Sequence, residues 1–280
     1  MASPEHDLDP VREGRDPVDD IPHILDKDGV RLTVDDAVAT VTLTNPAKRN
    51  AQSPALWRAL TEAGRLLPGS VRVVLLRAEG KSFSAGLDRQ AFTPEGFDGE
   101  PSFLDLARGS DAELDATIAG YQEAFTWWRR RDLVSIAAVQ GHAIGAGFQL
   151  ALACDLRVVA DDVQFAMRET SLGLVPDLAG THPLVGLVGY GRALEMCLTG
   201  RFVTAEEAVN TGLANLAVPR DQLDAAAHDL ASAILAAPRD AVIETKALLQ
   251  GVQDRTYDEQ RAAERQSQSR RLRDLAGLGD

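Results

Sequence analysis

The spacing of apolar positions changes character several times along the chain. Residues 30–34 and 37–43 alternate apolar and polar around Asp35-Asp36, which predicts a hairpin. Ser53-Pro54, a hydroxyl cap and then a first-turn proline, opens a helical period running to about residue 67. Residues 71–76, rich in β-branched side chains, and 133–140 are short, mainly apolar runs of strand length, the pattern of buried strands. Helical spacing returns over 112–131 and ends in Trp127, Trp128 and three arginines; 156–160 and 163–166 read as two more short strands. Beyond Gly180 the pattern is almost wholly helical, at about 183–188, 192–198, 205–211, 222–236, 241–250 and 257–275, with an extended piece at 216–218. Residues 1–24 are acidic and aperiodic, which predicts a disordered lead-in. Residues 91–111 are punctuated by Gly and Pro, as a mobile active-site loop is. An α/β core over 25–200 and a helical region over 201–280 follow.

Between the strand at 133–140 and the next helix stands Gly141-His142-Ala143-Ile144-Gly145-Ala146-Gly147-Phe148-Gln149-Leu150-Ala151-Leu152-Ala153-Cys154-Asp155, with three glycines in seven residues. A strand, a glycine-rich turn and a helix start expose backbone N–H groups at the positive end of a helix dipole. Such a turn holds negative charge, on a phosphate or on a developing oxyanion. The spacing fits neither the P-loop nor the Gly-x-Gly-x-x-Gly dinucleotide fingerprint. The same glycines also serve a helix that only packs close to a strand. A second turn, Lys81-Ser82-Phe83-Ser84-Ala85-Gly86-Leu87-Asp88, follows the strand at 71–76. If the two strands are neighbours, N–H groups near 85–87 and near Ala146 converge on one oxygen.

Net charge is −13, which argues against nucleic acid and anionic membranes as partners. No apolar run approaches membrane-spanning length and no signal pattern opens the chain, so a cytoplasmic enzyme is expected. Cys154 and Cys197 lie in apolar helical contexts, as core thiols do. Glu169 and Asp177 stand in an apolar, Gly- and Pro-rich stretch from Phe165 to Gly180. Apolar surroundings raise a carboxyl pKa toward the range useful for proton transfer; a capping Glu and a turn Asp give the same letters. His142 and His182 flank the turns without metal-ligand spacing, and Ser84 has no nucleophile-elbow context.

Taken in order, 81–88, 141–155 and 165–181 resemble the enoyl-CoA hydratase/isomerase (crotonase-like) superfamily, a similarity extending from about residue 28 to 250. Gly191-Arg192-Ala193-Leu194-Glu195-Met196-Cys197-Leu198-Thr199-Gly200 and Ala205-Glu206-Glu207-Ala208 look like its later helical motifs. The resemblance implies a spiral of strand–strand–helix units with a C-terminal helical trimerisation region, assembled as a homotrimer or a dimer of trimers. It implies an acyl-CoA substrate, coenzyme A being part of that substrate and not a bound cofactor; no metal is expected, since the histidines show no metal-ligand pattern. The thioester carbonyl would sit between N–H groups of Ala85 or Leu87 and of Ala146. Lys48, Arg49 and Lys81 become candidates for the CoA phosphates, and Gly86, Asp88 and Gly145 for further substrate contacts.

The chain departs from the hydratase pattern at one of its two glutamates. One family glutamate falls on Glu169, the other on Gln149, and a neutral amide accepts no proton at neutral pH. Hydration of a 2-enoyl-CoA remains the leading expectation, with Glu169 moving the proton and Gln149 or Asp177 placing the water. Double-bond isomerisation needs Glu169 alone. Thioester hydrolysis is a third course, since 3-hydroxyacyl-CoA hydrolases look similar around Glu169 and Asp177. A silent acyl-CoA-binding scaffold is the alternative of another class.

Overall fold

The two mainly apolar runs become the middle of a seven-stranded sheet. A computed structural model describes residues 23–97 and 100–279. Its first half runs β1 (His23–Lys27), β2 (Val30–Asp35), β3 (Val38–Leu43), α1 (Pro54–Leu66), β4 (Val73–Ala78), α2 (Phe103–Leu106), α3 (Asp111–Thr126), β5 (Val134–Val139), β6 (His142–Ile144) and α4 (Ala146–Ala153). The second half runs β7 (Leu156–Ala160), β8 (Gln164–Ala166), α5 (Thr181–Val188), α6 (Tyr190–Thr199), β9 (Val203–Thr204), α7 (Ala205–Asn210), β10 (Leu216–Val218), α8 (Leu223–Leu235), α9 (Arg239–Gln250) and α10 (Tyr257–Leu275). The large sheet has the order β1-β2-β3-β4-β5-β7-β10, and β6-β8-β9 form a second, small one. Strands β1 to β3 are antiparallel, while β3, β4, β5, β7 and β10 are parallel neighbours.

Side chains alternate across a strand, so a strand covered on both faces shows no alternation in its sequence. Val74 and Leu76 of β4, with Ala137 and Val139 of β5, face the main core formed with α1, α3 and α4. Val73, Leu75, Ile136 and Ala138 face the other way, onto Leu223, Ala227 and Ala231 of α8. Each buried Val, Leu or Phe contributes about 1.5–3 kcal/mol to the fold. All eight residues of α4 are buried, which is why it reads as apolar on every side. Trp128 is fully buried and Trp127 stacks on it at 3.9 Å.

Helix α1 starts where Ser53-Pro54 places it, the Ser53 hydroxyl accepting the Leu56 N–H. The expected 30–43 hairpin forms as β2 and β3, in register from Val30–Leu43 to Asp35–Val38. Strand β1 adds to it unannounced, because its only buried residue is Leu25 and no period shows. It begins at His23, and residues 1–22 of the expected lead-in lie outside the described residues. The 91–111 stretch is broken by a turn of 3₁₀ helix at Arg89–Phe92 and by α2. At the other end, α10 is polar all round and lies on α9, where Ser267 and Arg270 hold Glu244.

Candidate active site

Both glycine turns meet at the start of α4. The Ser84 N–H donates to the His142 carbonyl (2.9 Å) and the Ile144 N–H to the Ser84 carbonyl (3.0 Å), so the 84–88 turn runs parallel to β6. Gly86 adopts φ +84°, and a Cβ there would stand 2.4 Å from the Ile144 carbonyl and 3.6 Å from the Ala146 nitrogen. Only glycine fits such an approach, and it brings the two turns into contact. Gly147 shows the same closeness on the helix side, where a Cβ would be 2.6 Å from the Ser84 carbonyl.

The N–H groups of this junction are unevenly used. Ala85 was expected as a donor, but its N–H is taken by the Arg49 carbonyl at 2.9 Å. The Gly86 N–H turns back onto the Ser84 hydroxyl. Gln52 brackets the next residue, its N–H donating to the Gly86 carbonyl and its carbonyl accepting the Asp88 N–H, both at 2.8 Å. In this parallel bridge the Leu87 N–H points away from Gln52. It has no acceptor among the described residues, and neither has the Ala146 N–H in the first turn of α4.

Glu169 approaches the same helix start from the end of β8, in the short 3₁₀ turn Glu169–Leu172. Its residue is 9% exposed. One oxygen, Oε1, accepts the Gln149 amide N–H at 2.7 Å, and the other, Oε2, is buried with no hydrogen-bond partner. Gly145 is the N-terminal cap of α4 and forms the wall beside that carboxylate, where a Cβ would stand 3.3 Å from Oε1. Burial pushes the Glu169 pKa up, with a smaller upward push from Asp177; the Gln149 hydrogen bond opposes both.

Gln149 is itself saturated at its oxygen, which accepts the Leu178 N–H (2.9 Å) and the Gly180 N–H (3.3 Å). Those two N–H groups orient the amide so that its NH2 faces Glu169. Asp177 sits just ahead of them, and its carbonyl is held by Gln122 of α3 at 2.7 Å. Asp177 as a residue is exposed, yet desolvation still raises its carboxyl pKa. Gln149 thus bridges Glu169 and the loop that carries Asp177, whose charge is felt at Glu169.

Of the expected CoA contacts, Lys48, Arg49 and Lys81 are all exposed. Lys48 pairs with Asp88 at 3.4 Å, and Asp88 also caps the 3₁₀ turn after it. His142 lies outside this cluster, near Ser82 and Phe202. His182 lines a separate cavity of about 210 Å³ together with Arg129, Cys154 and Gln250. Cys154 is buried and Cys197 half-buried, both as free thiols. Among the described residues no cluster of three or more His, Cys, Asp or Glu side chains is placed to hold a metal. No helix among them is long and apolar enough to cross a membrane.

Sequence reasoning passed over Gln52, Trp57 and Gln122, which touch the site from elements far away in the chain. Only the buried position of Gln52 singles it out, and no spacing in the sequence shows that.

Similarity to known proteins extends over most of the chain. Residues 33–274 match the enoyl-CoA hydratase/isomerase family model. A Mycobacterium tuberculosis protein named as an enoyl-CoA hydratase is 36% identical over 189 residues, 66% of this chain and 69% of that protein. A Bacillus subtilis protein of the same name is 33% identical over 195 residues, 67% and 68% of the two chains. A Thermobifida fusca protein described as an enoyl-CoA hydratase, solved in complex with CoA, superposes with a TM-score of 0.84 at 48% identity, covering 89% of this chain and 95% of that one. Its complex with acetoacetyl-CoA superposes equally well, at 0.84 and 48%, covering 88% and 95%. With the family match spanning both glycine turns, the Glu169 turn and the helices beyond them, this chain belongs to the enoyl-CoA hydratase/isomerase family.

Proposed function

We propose that the protein hydrates 2-enoyl-CoA thioesters, or runs that addition in reverse, with Glu169 as the proton carrier. The observation that carries this reading is the partnerless, buried Oε2 of Glu169 beside two unused N–H groups, those of Leu87 and Ala146. The thioester carbonyl lies between these N–H donors, which bind more strongly as its oxygen gains charge. Glu169 takes a proton from water while the water oxygen bonds to the β-carbon, and the π electrons move onto the thioester oxygen as an enolate. The proton then passes from Glu169 to the α-carbon and the carbonyl re-forms. One carboxylate suffices for this, and the second NH of Gln149 is free to hold the water.

Support for the CoA portion comes from the Thermobifida fusca neighbour, which binds CoA. In this reading Lys48, Arg49 and Lys81 meet the phosphates, as exposed cations beside the donor turn. Exposed apolar side chains at Leu172, Val175, Tyr190 and Leu198 support assembly as a homotrimer or a dimer of trimers. A cytoplasmic location is part of this reading.

A second reading, double-bond isomerisation, is favoured by one specific observation. The Gln149 oxygen is already filled by Leu178 and Gly180, so no second base faces the cleft from that position. Glu169 would then lift a proton from one carbon and return it to another. Crotonyl-CoA incubated in oxygen-18 water separates the outcomes by mass spectrometry. One labelled oxygen in an intact CoA ester supports hydration, while an unlabelled ester, with 3-enoyl-CoA converted to its 2-enoyl isomer, supports isomerisation. Free CoA with a labelled acid would transfer the assignment to thioester hydrolysis.

A further inference from the structure

The donor turn is backed by a buried chain of side-chain hydrogen bonds that reaches it from α1. The Trp57 indole N–H donates to Gln52 Oε1 at 2.8 Å. Gln52 Nε2 donates to the Ser84 hydroxyl oxygen at 3.2 Å, and the same oxygen accepts the Gly86 N–H at 3.2 Å. The Ser84 hydroxyl proton goes to the Asn50 carbonyl at 2.7 Å. Gln52, Ser84 and Asn50 are fully buried and Trp57 is 3% exposed, so water replaces none of these bonds.

Each bond acts on the residue next to the free Leu87 N–H. With the Gly86 N–H committed to Ser84 and the Gly86 carbonyl to Gln52, the residue before Leu87 is held at both ends, and the carbonyl of the peptide that carries the Leu87 N–H is fixed. The Asp88 N–H on the Gln52 carbonyl holds the peptide after it. From this arrangement we infer that Trp57, Gln52 and Ser84 are positioning residues. Their hydrogen-bond chain fixes the direction of the Leu87 N–H toward the thioester oxygen, and thereby sets how strongly that donor polarises it. The inference rests on the Leu87–Ala146 reading given above. Ser84 in this role is no nucleophile: its proton is committed to a carbonyl and both acceptor positions are filled.

An aligned donor works on a carbonyl as charge develops, so misaligning it lowers kcat more than it weakens binding. The test uses butyryl-CoA labelled with carbon-13 at its carbonyl, a saturated thioester that binds without turnover. Its carbonyl stretch is read by difference infrared spectroscopy on the intact protein, on Trp57→Phe and on Ser84→Ala. The unaltered protein should move the stretch to lower wavenumber on binding. Trp57→Phe retains an aromatic ring at this buried position but loses the indole N–H together with part of the ring volume, and it should reduce that shift. Its kcat on crotonyl-CoA should drop about tenfold with KM within about twofold, less than the ~10²–10³ that losing a donor outright costs. Ser84→Ala should exceed it in both respects. Full shift and full kcat in Trp57→Phe, or in a folded Ser84→Ala, overturn the positioning role while leaving the donor pair intact. No shift in the unaltered protein removes the donor pair itself, and the positioning role with it.

Discussion

Gln149 and Glu169 face each other across 2.7 Å, amide nitrogen to carboxylate oxygen, and this contact divides the two Glu169 oxygens into different roles. Oε1 is tied to α4 through the amide, while Oε2 remains buried and unbonded. An unpaired buried acceptor costs about 1–3 kcal/mol, and catalytic clefts keep such groups because a substrate or water completes them. The glutamine is fixed in turn by the Leu178 and Gly180 N–H groups, so helix, base and the Asp177 loop form one unit.

Glu169→Gln is expected to abolish proton transfer without disturbing the binding surface. Turnover of crotonyl-CoA should drop by about 10²–10⁴ while acyl-CoA affinity stays within about threefold, as general acid–base contributions of this kind imply. Stability should move the other way. Burial raises the Glu169 pKa, so its contribution is most favourable when protonated and is lost as pH rises through the folded pKa. At pH 8 the variant should therefore melt at a higher temperature than the unaltered protein. Stopped-flow turnover and calorimetry check the two halves, and retained activity would remove Glu169 from the mechanism.

Gln149→Met is expected to shift the acidic limb of the kcat/KM profile. Glu169 acts as base in its ionised form, so activity is lost as pH falls through its raised pKa. The Gln149 N–H favours the ionised carboxylate; without it the pKa climbs further, and the limb moves to higher pH. A pH series from 5 to 9, about two units either side of neutrality, reads this directly. A limb that stays put, or moves to lower pH, contradicts the orientation of the amide.

Much of this cleft was legible in the sequence, and the part that was not has a common cause. The glycines and Glu169 announce themselves locally, because a close approach at Gly86 or a carboxylate among Phe165, Ala166 and Met167 shows in neighbouring letters. Helix α10 keeps its expected span, Tyr257–Leu275, since its capping box at Thr256 and Glu259 is local. The choice among Ala85, Gly86 and Leu87 as donor was illegible: it depends on Arg49, Ser84 and Gln52, whose contacts depend on tertiary packing. Strands β6 and β9 escaped for a similar reason. Three and two residues long, they are too short for a period and exist through their pairing with β8.

Gln149→Glu is expected to convert the site into a two-carboxylate cleft. One oxygen of the new side chain keeps the Leu178 and Gly180 N–H groups, which favour its ionised form. The other meets Glu169 Oε1 where an N–H now stands, so the pair retains one shared proton and its two titrations separate. The ionised partner then serves as base toward water and the protonated one as acid toward the α-carbon. Hydration of crotonyl-CoA should rise several-fold, on the order of the lower 10² of a general-base contribution at most, with a bell-shaped pH profile. An unchanged rate would mean that position 149 does not limit hydration.

Lys246→Met is expected to loosen α9 from the core without touching the cleft. The buried ammonium donates to the Arg130 carbonyl (2.6 Å), the Leu133 carbonyl (2.7 Å) and Asp155 Oδ2 (2.6 Å). Asp155 Oδ2 also accepts the Ser135 N–H and hydroxyl, so it keeps donors when the lysine is lost. The two carbonyls keep none from that side. Breaking a buried pair costs about 3–5 kcal/mol, and the donors left on Asp155 place this one near ~3. For a chain of this length the melting temperature should fall by about 6–12 °C. Below the transition, kcat on crotonyl-CoA should stay within about twofold, because no bond of this cluster reaches Glu169, Leu87 or Ala146. Adding Asp155→Asn should then cost less in the Lys246→Met background than in the native one. Equal costs in the two backgrounds would show that Lys246 and Asp155 act independently.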